Sequence, residues 1–131
     1  MNAIELLDAM DTVLDEPKKW TKGEYARIAD GTGTWATDGE ATCWCMAGAM
    51  AKAEGFPVES GNPAGKEAGF YLLQAANELH PPRENERGEV RGKWWSYANF
   101  NDAPSTDYIR VKAVISRARQ LLKSHQKEEN A

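Results

Sequence analysis

Cys43 to Glu54 is the stretch that most narrows the choice of fold. It reads C-W-C-M-A-G-A-M-A-K-A-E, small or apolar on most sides of a helical wheel, and Gly55 and Pro57 follow it. Glycine and then proline make a helix stop, because the glycine takes a left-handed cap and the proline cannot continue the ladder. A helix that is apolar on most sides has to be packed by its neighbours. The run therefore predicts a central helix over 43–54, with Gly48 allowing another backbone to approach closely.

The wrapping elements are also helical in pattern. Residues 3–15 place Ala3, Leu6, Leu7, Met10, Val13 and Leu14 at three- and four-residue spacings, Asn2 and Glu5 form a capping-box pattern, and Pro17 ends the run. Trp20–Ala29 reads as a short helix, and the polar, glycine-bearing residues after it as a loop with a minor hairpin near residues 31–42. Asn62-Pro63 opens a helix to about Leu79, with Phe70, Leu72, Leu73, Ala76 and Leu79 on its apolar side, and His80-Pro81-Pro82 closes it. Residues 83–93 are almost wholly polar and read as a solvated loop, followed by the aromatic cluster Trp94, Trp95, Tyr97 and Phe100. Ser105 or Thr106 caps the last helix, whose stripe is Val111, Val114, Ile115, Ala118, Leu121 and Leu122. The fold class is mainly α, a small single-domain bundle of about four to five helices. Its globular part covers residues 1–123, and 124–131 form a frayed tail. A chain of 131 residues suits one core.

Composition excludes several function classes. No apolar run approaches the length of about 20 residues that a bilayer span needs, so no membrane role is expected. Met1-Asn2-Ala3-Ile4-Glu5 lacks the basic-then-apolar pattern of a secretory signal. Cys43 and Cys45 are too close to bridge without strain, which points to a reducing cytoplasm. The net charge of −4 is too weak for a DNA mimic and has the wrong sign for a general nucleic-acid coat. It is uneven: residues 1–60 carry 11 acidic and 5 basic side chains, residues 61–131 carry 9 and 11. A polyanion-binding surface is therefore to be sought in the second half.

Each chemical motif has a plain competitor. Gly61-Asn62-Pro63-Ala64-Gly65-Lys66 is one residue short of a phosphate loop, has Glu67 where a magnesium-binding hydroxyl belongs, and reads better as a helix entry. The soft ligands Cys43, Cys45, His80 and His125 lack zinc spacing, so neither a metal nor another cofactor is expected. If Thr42 capped the central helix, the two cysteines would sit in its first turn with lowered pKa values, and His80 would be the available base for a cysteine-dependent enzyme. Small buried hydrophobes explain the same residues more simply. Asp102 in Phe100-Asn101-Asp102-Ala103-Pro104 has no visible partner, and the segment reads as a turn.

Two surfaces remain. Core filling is the leading explanation for most rings of the cluster, and Trp94 and Trp95, side by side, cannot both point the same way, so one is expected buried and the other partly exposed. With Tyr97, Arg87 and Arg91 they supply the residue types that carry binding energy at protein interfaces. The last helix adds Arg110, Arg117 and Arg119 to this contact set, with Lys112 and Lys123 nearby in its basic edges. The leading expectation is a non-enzymatic protein-binding module, with nucleic-acid or phosphate-ligand binding through the basic helix as the alternative.

Three short patterns, Trp20-Thr21-Lys22-Gly23, Cys45-Met46-Ala47-Gly48-Ala49 and Phe100-Asn101-Asp102-Ala103-Pro104, taken in this order, resemble those of an uncharacterised bacterial and phage family, a domain of unknown function. The resemblance covers about Ile4 to Leu122, with 83–93 as an extra loop. It implies a small helical domain in a phage or mobile-element setting, and it brings no established activity and no catalytic assignment. In that setting the partner would be a host or phage protein complex, for example a CRISPR–Cas defence machine that the module inhibits.

Overall fold

The computed structural model describes residues 1–129. Five helices are present: α1 (Ala3–Val13), α2 (Met46–Glu54), α3 (Pro63–Leu79), α4 (Tyr97–Asp102) and α5 (Tyr108–Glu129). Strands β1 (Ala26–Arg27), β2 (Gly33–Thr34) and β3 (Cys43–Trp44) form a small antiparallel sheet in the order β2-β1-β3. A second hairpin pairs β4 (Glu89–Val90) with β5 (Lys93–Trp94). A 3₁₀ turn at Pro17–Lys19 follows α1.

Local chemistry sets the helix boundaries. Asn2 accepts from Glu5 N while Glu5 reaches back to Asn2 N, the reciprocal pair that satisfies two otherwise orphaned donors. Asn62 caps α3 by accepting from Gly65 N, with Pro63 in the first turn, so the glycine-lysine run there is a helix entry. Asp107, rather than Ser105 or Thr106, accepts from Arg110 N at the start of α5. The last helix runs on through His125 to Glu129, where fraying from about Ser124 is the sequence expectation. An exposed His125–Glu129 pair at i,i+4 lies in that final stretch. Residues 130 and 131 of the expected tail lie outside the described residues.

The core lies between α1, α2, α3 and α5, with α1 touching the other three. Leu6, Leu7, Met10 and Leu14 of α1 meet Met46 and Met50 of α2, Leu72 of α3 and Val111, Ile115 and Leu122 of α5 in one buried cluster. The α1 and α5 stripes are the predicted ones. On α3 the buried face is Ala68, Tyr71, Leu72, Ala75 and Ala76, whereas Phe70 and Leu79 are exposed and Leu73 only half-buried, against prediction. Phe70 stands edge-on to Tyr71 at the surface.

Three expectations are corrected in the segment before α2. Residues 20–29 are not a helix but lead into β1. Cys43 and Trp44 are a strand, so α2 begins only at Met46. Cys45, not Thr42, is the cap, its Sγ accepting from Gly48 N at 3.2 Å. The 83–93 loop likewise contains a hairpin, closed at Arg91-Gly92 with φ of 54° and 81°. Positive φ at both central residues is the turn geometry whose twist suits a two-residue hairpin.

Candidate functional site

The three motifs that lie far apart in the chain meet on one side chain. Asn101, in α4, is 1% exposed. Its Oδ1 accepts from Trp20 Nε1 (2.7 Å) and Met46 N (3.1 Å). Its Nδ2 donates to Thr21 O (3.2 Å) and Asp102 Oδ1 (2.9 Å). A carboxamide has two acceptor sites and two donors, and all four are used. The same Asp102 oxygen accepts from Gly23 N at 2.9 Å. Lys22 Nζ donates to Ala103 O at 2.6 Å and lies 5.5 Å from the Trp20 ring centroid, a cation–π distance. Arg27 holds the other side of this segment, donating to Thr21 Oγ1 and Lys22 O. The partners of Asp102 that the sequence does not reveal are thus a backbone N–H and a neighbouring amide.

Above this network opens a polar cleft of about 370 Å³ lined by Lys22, Gly23, Arg87, Asn99 and Asp102. One wall carries Arg87, in the turn that leads into the β4–β5 hairpin. Trp94 anchors that hairpin: its backbone N–H donates to Asn77 Oδ1 (2.7 Å), its Nε1 to His80 O (2.8 Å), and its ring stands edge-on to Phe100. Trp94 is 3% exposed and Trp95 72%. Trp94 ends β5 and Trp95 follows it, so that one ring is buried and the other faces solvent, as expected, and an indole N–H needs a partner only on the buried side.

Of the contact residues suggested by sequence, Arg91 in the hairpin turn, Arg87 just before β4 and Trp95 just after β5 are exposed. Trp94 and Tyr97 are core, which corrects their assignment to a partner surface. The Tyr97 hydroxyl donates to the Glu59 carboxylate and lies 3.6 Å from Met50 Sδ. Burial first, and then the charge of Glu59, push its pKa well above the usual phenol range, so it remains a neutral donor. On α5, Arg117 pairs with Glu78 (2.8 Å) and Arg119 with Asp8. Lys112 pairs with Asp11 (2.6 Å) and donates to Asp11 O and Leu14 O, capping the end of α1. These cations tie α5 to α1 and α3. Arg110 is half-buried and has no ion pair among the described residues.

The cysteines are free, and neither thiol is hydrogen-bonded to an imidazole among the described residues. Burial pushes the Cys45 thiol up to about 11, only partly offset by the Gly48 N–H. That leaves roughly one thiolate in 10⁴ at neutral pH. Iodoacetamide should therefore modify half-buried Cys43 first in the native protein, with Cys45 reacting on unfolding. Peptide mapping by mass spectrometry checks this, and rapid native labelling of Cys45 would refute it. His80 stacks on Phe100 at 6.3 Å, and burial and then Arg110 lower its pKa.

A small, mainly helical domain with a polar cleft beside a solvent-facing tryptophan is the class that fold and site define. The chain belongs to a family of unknown function, DUF6197, whose model matches residues 1–121. No curated protein and no solved structure matches it. No helix among the described residues is long and apolar enough to cross a membrane.

Proposed function

We propose that the chain is a protein-binding module that presents the β4–β5 hairpin to its partner. The observation that carries this reading is Trp95, 72% exposed directly after β5, whose last residue, Trp94, is locked into the core. A large ring on an anchored backbone has few rotors to lose when a partner covers it, and tryptophan and arginine dominate interface energetics. Arg91 stands in the hairpin turn and Arg87 just before β4, both exposed. Arg91 adopts a left-handed φ of 54°, which costs a non-glycine residue roughly 1–2 kcal/mol. The basic face of α5 supports a nucleic-acid reading less well, since Lys112, Arg117 and Arg119 already face carboxylates. The narrower form of the proposal is a module that occludes a host defence complex such as CRISPR–Cas, and the identity of the partner decides it.

The test is a nuclease-treated pull-down from a bacterial host lysate with wild type and Trp95→Ala side by side. A protein partner should survive moderate salt with wild type, and binding should fall at least about tenfold with Trp95→Ala. Stability should move by no more than about 0.5 kcal/mol in that variant, whereas Trp94→Ala should cost about 3–5 kcal/mol in a denaturant melt. A partner held equally well by Trp95→Ala would remove the hairpin from the interface.

A further inference from the structure

The cleft beside Asn101 contains more hydrogen-bonding capacity than the fold uses. Arg87, on its rim, makes no hydrogen bond or ion pair among the described residues. Asn99 has its Oδ1 occupied by Ser96 Oγ at 2.9 Å, and its Nδ2 has no partner. Lys22 uses one ammonium proton on Ala103 O, which leaves two. Against these donors stands one side-chain oxygen wholly without a partner among the described residues. Asp102 Oδ1 takes Gly23 N and Asn101 Nδ2, and its second oxygen has no partner. The excess of donors from two cations and an amide suits an oxyanion, and the single carboxylate oxygen beside them suits a hydroxyl on the same molecule. The volume of about 370 Å³ lies at the small end of ligand sites, so the occupant is a short polar molecule. The floor is preorganised, because the buried Asn101 network holds Gly23 and Asp102 before anything binds.

We infer that this cleft binds a small hydroxylated oxyanion, of the class of sugar phosphates and sugar acids. The inference does not depend on a protein docking at Trp95. Ribose 5-phosphate, gluconate, inorganic phosphate and ribose are the probes, each titrated into ¹⁵N-labelled protein up to about 10 mM. At least one of the two hydroxylated anions should give saturable shifts at Gly23 N–H, the Asn99 side-chain amide and Arg87 Nε–H, and the comparison between them separates phosphate from carboxylate. Ribose should give none, and inorganic phosphate should bind more weakly.

Arg87→Ala, on an exposed turn, should weaken binding by about tenfold, and Trp95→Ala should leave it unchanged. Asp102→Asn, which keeps an acceptor for Gly23, should erase the preference for the hydroxylated anion over inorganic phosphate. If that variant unfolds, Asn99→Ala with Arg87→Ala carries the test. Absence of saturable shifts with both hydroxylated anions, or shifts that persist unweakened in Arg87→Ala, would overturn the assignment.

Discussion

Gly48→Ala should cost more than about 3 kcal/mol, enough to unfold a domain of ordinary stability. Two effects oppose one another at this position. Alanine is a better helix former than glycine by about 1 kcal/mol, and Gly48 lies within α2, so propensity alone predicts stabilisation. The added Cβ, however, would stand 1.8 Å from the backbone oxygen of Tyr25 and 2.7 Å from its carbonyl carbon. Those atoms cannot move aside as the end of a side chain can. Tyr25 O also accepts from Cys45 N, and the next residue, Ala26, pairs with both Thr34 and Trp44 in the sheet. Relief of the clash therefore means separating the first turn of α2 from β1 and losing ladder bonds as well. The clash wins by several-fold over propensity. Circular dichroism melts of wild type and Gly48→Ala check this, and an alanine variant as stable as wild type would show that β1 can withdraw.

The close approach at Gly48 is legible in the sequence, but the strand that approaches it is not. Ala26–Arg27, Gly33–Thr34 and Cys43–Trp44 are two residues each, too short to show an alternating pattern. They exist because Gly48 and the Cys45 cap leave a groove on α2, which is tertiary information. Where chemistry is local, reading succeeds: the Asn2–Glu5 box, the Asn62-Pro63 entry and the α5 stripe are all present. The turn at Arg91-Gly92 is hidden by an arginine standing where asparagine is the usual signal. The two tryptophans are predicted to diverge and do, but which is buried is set by Asn77 on α3 and by the carbonyl of His80 just past its end. Tyr97 looks like an interface residue until Glu59 is found at its hydroxyl. Part of the cleft is of the same kind, since Asp102 and Gly23 are 79 residues apart in the chain.

Asn101→Ala should destabilise the protein by about 3–6 kcal/mol, through groups it deprives rather than through volume lost. Truncation removes the acceptor for Trp20 Nε1 and Met46 N and the donor to Thr21 O. A donor or acceptor left unsatisfied away from water costs about 1–3 kcal/mol, and water can reach a partly exposed group such as Trp20 more readily than Met46 N. Asn101→Asp separates this account from simple packing, because it preserves shape and the Oδ1 acceptor. Its second oxygen would replace a donor that now lies 2.9 Å from Asp102 Oδ1 and 3.2 Å from Thr21 O. Two carboxylate oxygens facing each other in a buried site disfavour ionisation, so the new carboxyl should have a folded pKa above its unfolded value of about 3.9. The sign follows from linkage: the variant is closest to wild type below that unfolded value and loses stability as pH rises through the folded pKa. Urea melts of both variants from pH 4 to pH 8 read this directly. The gap between Asn101→Asp and wild type should widen with pH, while the Asn101→Ala gap stays nearly flat. A gap for Asn101→Asp that is small and independent of pH would mean that the amide is not the organising contact among the three motifs.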